Sequence, residues 1–80
     1  MKTEITGYWL EENGFENKGF GHWGKRIENR FIDVWVRGKL GVWALATYPT
    51  EKHYKHGICN YTCAGIHYQN EIMNIAPSFF

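Results

Sequence analysis

Apolar and polar positions alternate most clearly in "RFIDVWVRG", residues 30–38. In an extended chain Ile32, Val34 and Val36 fall on one side, and Phe31, Asp33, Trp35 and Arg37 on the other. Both sides carry large apolar groups, so this strand is expected to bury something on each face. "GKLG" then turns the chain and "VWALATY" returns as the antiparallel partner, with Trp43 and Leu45 sharing a face. Pro49 stops that strand because it has no N–H to give a ladder.

Upstream, "TEITGYWLEENGF" predicts a short helix. Thr3 or Thr6 caps it, Ile5, Trp9 and Leu10 share a face, and Gly14 supplies a left-handed residue that brings Phe15 back onto Leu10. Gly7 weakens that helix by about 1 kcal/mol relative to alanine. A hairpin turning at Asn13-Gly14 is the competing reading. The glycine-spaced "ENKGFGHWGKRIENR" holds a short edge strand over residues 20–23. Residues 53–61 predict a further strand, interrupted at Gly57. Thr62 then caps a second helix, along which Ile66, Gln69, Asn70 and Met73 follow helical spacing, with Ile72 and Ile75 beside them, until Pro77 closes it. The expected architecture is α+β over residues 1–80, one domain. It has a short N-terminal helix, a three- to four-stranded antiparallel sheet, and a C-terminal helix packed on one face.

Eighty residues are few for building a core, but 44% hydrophobic and 18% aromatic content argue for a folded chain rather than a disordered one. A net charge of +1 gives the chain as a whole no pull on nucleic acid, so such a role would need a local patch. No apolar run follows Met1-Lys2 and no stretch has the length of a membrane span, so the expectation is a cytoplasmic chain without a membrane partner. Its two cysteines then read as free thiols.

"HYKHGICNYTCAGIH" gathers His53, Cys59, Cys63 and His67, which invites a zinc reading. Cys63 and His67 would stack four apart on a helix, with Cys59 and His53 completing a tetrahedral set. Against it, no Cys-x2-Cys knuckle is present, and strand parity places His53 and Cys59 opposite His56. The competing reading is buried thiols, surface histidines and no cofactor. Cys63 at a helix start beside His67 also suggests a nucleophile, but no third group orients the pair. Ser78 is the only serine and Asp33 the only aspartate, which nearly excludes a Ser-His-Asp triad. The chain is therefore read as not an enzyme, with no catalytic residues.

Two binding readings remain. Trp23, Lys25, Arg26 and Arg30 interleave cations with a ring, as single-strand nucleic-acid binders do, although Glu16 and Glu28 dilute the patch. Alternatively, Phe31, Trp35 and Trp43 form an exposed aromatic sheet face that contacts a protein partner or a second copy of the chain. The opposing view is that the first helix and the tail cover those rings.

Three stretches carry a family likeness: Trp9-Leu10-Glu11-Glu12-Asn13-Gly14-Phe15, an aromatic hairpin over residues 31–48, and Ile66-His67-Tyr68-Gln69-Asn70-Glu71-Ile72 with its H-x-Q-N core. In that order the chain resembles small proteins of phages, prophages and other mobile elements. That group has no assigned activity, so no site residue carries over. Pro77 and the Phe79-Phe80 end stand where the group usually has a longer helix. The resemblance implies a protein that binds a host or defence protein, inhibiting or modulating it in the host cytoplasm.

Overall fold

The alternation in residues 30–37 produces β3 (Arg30–Arg37), the middle strand of an antiparallel sheet, in a computed structural model that describes residues 2–38 and 41–80. Its neighbours are β2 (His22–Ile27) and β4 (Val42–Tyr48), with β1 (Glu16–Gly19) and β5 (Tyr61–Ile66) at the two edges. The sheet thus has five strands rather than three to four, and its order follows the chain. The expected turn at "GKLG" includes Lys39 and Leu40, which lie outside the described residues.

Register decides which residues share a face. Val34 sits opposite Leu45 on β4 and Trp23 on β2, and Val36 sits opposite Trp43. These side chains, with Ile32 and Ile66, build the inner face. Ile5, Leu10 and Phe15 cover it from the N-terminal side, and Ile72, Ala76 and Phe79 from the C-terminal side.

Helix α1 (Gly7–Glu12) begins where the sequence indicates: the Thr6 hydroxyl accepts from the Trp9 N–H at 3.1 Å. At its end Gly14 takes φ +88°, the Phe15 N–H donates to the Leu10 carbonyl and the Gly14 N–H to that of Glu11. This returning chain drops Phe15 into the core, and the helix prevails over the hairpin alternative. Gly7 has a packing reason: a Cβ there would lie 2.5 Å from the Trp23 ring.

Three expectations need correction. Residues 20–23 are not an edge strand. Phe20 and Gly21, at φ 55° and 78°, form the two-residue turn between β1 and β2, because paired left-handed residues match the twist of a hairpin. The strand expected over residues 53–61 is replaced by α2 (Glu51–Lys55), capped by the Thr50 hydroxyl, which accepts from the His53 N–H. The third correction concerns Thr62, which caps no helix: it lies in β5 and donates its hydroxyl to the Leu45 carbonyl at 3.1 Å. The last helix, α3 (Gln69–Ile75), starts later, where Glu71 reaches back to the N–H groups of His67 and Tyr68. A 3-10 turn (Pro77–Phe79) follows it.

Lys25 lies on the inner face opposite Ile32, yet its ammonium is not wasted there. Nζ donates to the Asn13 carbonyl at 2.7 Å and the Phe79 carbonyl at 2.6 Å, beside the rings of Phe15 and Phe80. One side chain therefore ties the end of α1 to the end of the chain, and burial lowers its pKa. Lys25→Met should destabilise the protein by about 1–2 kcal/mol, a fall in Tm of roughly 5–15 °C. Arg26→Met, at an exposed neighbour on the other face, should stay within about 0.5 kcal/mol. Equal melting points for the two variants would remove the tie.

Candidate interaction surface

The second sheet face is built from Phe31, Asp33, Trp35 and Arg37 of β3, with His22, Gly24 and Arg26 beside them on β2. Small residues on β4, Ala44 and Ala46, stand opposite Trp35 and Asp33. Helix α2 covers one end of this face. Tyr54 stacks on Phe31 at 4.3 Å between ring centroids and meets Tyr48 edge-on at 5.3 Å. Gly24 makes room beneath, since a Cβ there would come within 2.6 Å of the Phe31 ring. Towards the other end Trp35 stays half-buried and stacks on His22, its cross-strand neighbour, at 5.5 Å.

Asp33 sits between these regions and is only 4% exposed. Its strand neighbours Gly24 and Ala46 bring no polar side chain, so it is satisfied from β2: His22 Nδ1–H donates to Oδ2 at 3.0 Å and Oδ1 at 3.1 Å. Burial raises the Asp33 pKa, and the hydrogen bond and charge of His22 oppose that shift. Burial and the Asp33 charge together push the Tyr48 and Tyr54 hydroxyls up as well. Above the pair lies an open groove of about 480 Å³, lined by Lys18, Phe20, His22, Asp33, Tyr54 and Lys55. Phe20 forms its lip, wholly exposed at the tip of the β1–β2 hairpin.

The residues singled out from the sequence are dispersed by this geometry. Phe31, Trp35 and Trp43 do not form one patch. Phe31 is buried under Tyr54, Trp35 lies on the same face but partly open, and Trp43 is buried in the core on the opposite face. Of the basic group, Trp23 packs against the core near Trp43, at 5.5 Å between centroids, and Lys25 is held by two carbonyls. Arg30 donates to the Ser78 hydroxyl and lies over the Phe79 ring, and exposed Arg26 is on the other face. Ring and cations therefore do not line up as a track for bases and phosphates.

The zinc candidates are likewise scattered. Cys63 lies in β5 opposite Leu45, His67 follows that strand, Cys59 is exposed before it, and His53 Nδ1 is 2.7 Å from the Thr50 hydroxyl in α2. The helical stacking expected for Cys63 and His67 is absent because the segment is extended, and the helix-start argument for a Cys63 thiolate goes with it. Among the described residues, no three His, Cys, Asp or Glu side chains are grouped to hold a metal ion. No protein-family model matches this chain, and no match is found among curated proteins or solved structures.

Sequence reasoning missed the His22–Asp33 pair and the Phe20 lip. A signal for Asp33 existed, since a lone carboxylate amid a strand apolar on both parities must find a partner. A carboxyl whose pKa is higher folded than unfolded contributes stability that is present below the unfolded value and lost as pH rises through the folded one. Asp33→Asn keeps an acceptor for His22 without that titration. Relative to the variant, the wild type should therefore lose stability as pH rises through and above the ordinary carboxylate range, seen as diverging Tm values. Parallel Tm–pH curves would show that Asp33 titrates as it does in the unfolded chain.

Proposed function

We propose that this chain is a small accessory protein of phage or mobile-element type that acts by binding. It engages a host or defence protein through the sheet face around Trp35 and the Phe20 lip. The setting is supported by the likeness of residues 9–15 and 66–72 to that group of proteins. The mode of action is supported by a single observation: a phenylalanine stands wholly exposed in a left-handed turn, where it packs no core. A non-glycine residue in that conformation costs about 1 kcal/mol, and nothing in the fold returns it. Trp35, stacked on the groove residue His22, offers part of a large ring on the same face, which α2 covers around Phe31. Exposed aromatic groups next to a half-buried one are the usual anchors of protein interfaces.

Phe20→Asp and Trp35→Ser separate binding from folding. Phe20→Asp should leave the circular dichroism spectrum and Tm close to wild type, because the side chain touches no core. Its capture of the partner from host-cell lysate should fall at least about tenfold, the loss of one interface anchor. Trp35→Ser should reduce capture similarly, with a modest drop in Tm. Undiminished capture by both folded variants would move the interface elsewhere.

A further inference from the structure

The interaction face carries a charge pattern that narrows its partner, an inference that rests on the binding reading above. Lysines and arginines collect on this side of the sheet. Lys18 lines the groove, Arg26 and Arg37 share the parity of Asp33, and α2 brings Lys52 and Lys55. Carboxylates there are exposed Glu16, paired with Lys18 at 3.1 Å, and half-buried Glu51 at the start of α2. Asp33 lies at the floor, engaged by His22. The opposite side carries Glu4, Glu11, Glu12 and Glu71 against Lys2, Lys25 and Arg30. Among the described residues, cations therefore outnumber carboxylates on the side of the aromatic groove and do not on the opposite side.

We propose that the groove docks an acidic peptide segment of a protein partner. An apolar side chain of the segment enters between Phe20 and Tyr54, and its carboxylates meet Lys18 and Lys55 on the two rims. The alternation of charge favours a peptide over a nucleic-acid strand. A phosphate backbone carries a charge at every step and would meet the Asp33 carboxylate on the groove floor and Glu16 paired with Lys18 at its rim, whereas a peptide places its carboxylates singly. Stacking is also restricted, because one face of the Trp35 ring is already taken by His22. A basic segment would meet two lysines at the rim and find the Asp33 carboxylate buried and engaged.

The test is an NMR titration of the isotope-labelled full chain with three probes: a glutamate–phenylalanine peptide, a lysine–phenylalanine peptide of the same length, and oligothymidylate. The acidic peptide should shift the signals of Phe20, His22 and Lys55 and bind several-fold more weakly when salt is raised from about 0.05 to 0.3 M. Lys18→Glu with Lys55→Glu, both at exposed positions, should keep the spectrum of the folded protein and weaken this peptide by about tenfold. Preferential binding of the lysine peptide at the same residues would overturn the acidic partner while leaving the face an interaction surface. Tighter binding of oligothymidylate would overturn it in favour of nucleic acid. No shift at these residues with the acidic peptide would also overturn it. Failure of the binding reading itself shows separately, as undiminished partner capture by Phe20→Asp.

Discussion

Burial of β3 on both faces is the constraint on which the rest of this structure depends. Phe31, Ile32, Asp33 and Val34 are successive residues and all are buried, so neither side of the sheet can be left to water. A helix-covered sheet usually needs more chain than eighty residues provide for two such layers. The protein meets the demand unevenly. Two helices, the N-terminal segment and the tail cover the inner face, while the outer face receives one helix of five residues and its Tyr54 ring. The cover is complete over Phe31 and gives out towards Trp35. The candidate interface lies at the end of this face that α2 leaves uncovered.

Charged groups inside the fold act as connectors rather than as exposed decoration. Lys25 fastens two carbonyls that are 66 residues apart in sequence, Asn13 and Phe79, and its ammonium faces the rings that its stem helps to pack. Asp33 joins β3 to β2 through His22 and so fixes the ring on which Trp35 stacks. Breaking the first connection loosens the layer that covers the core. Breaking the second frees the aromatic pair beside the groove without exposing the core, so the two charges serve different parts of the molecule.

How far the sequence could be read depended on whether the signal was local. The β3–β4 hairpin and α1 were legible because alternation, the Thr6 cap and Gly14 act within a few residues of each other. Helix α2 was not, since its polar residues show no apolar periodicity and Pro49, which ends β4, draws attention away from the Thr50 cap that follows it. In β5, Gly65 at φ +75° marks an irregularity in the pairing with β4, and the four-residue spacing of Cys63 and His67 imitated a helix. The site suffered most, because its grouping is a matter of register. Trp43 pairs with Val36 rather than Trp35, and a shift of one residue transfers a side chain to the opposite face. Whether Trp43 belonged with Trp35 could not be read from either strand alone. The same holds for His22 and Asp33, which are brought together only by the pairing of β2 with β3.

The turn at Phe20-Gly21 shows how a local misfit can still be informative. Asparagine or glycine suits the first position of such a turn, because neither pays much for a left-handed backbone. Phenylalanine pays that cost and then leaves its ring in water, so propensity and burial both disfavour it here. Neighbouring choices follow the rules of stability closely: Gly21 suits the second turn position, Gly24 clears the Phe31 ring, and Gly7 clears Trp23. Large rings are normally folded inward, as Trp23, Phe31, Trp43 and Phe79 are here. Phe20, more exposed than Tyr8, Tyr61 or Phe80, stands instead at the lip of a groove that Lys18 and Lys55 also line and whose His22 carries the half-open Trp35 ring. Local disagreement with the rules of folding is most economically explained by a requirement outside the fold, and for an exposed ring that requirement is contact with another molecule.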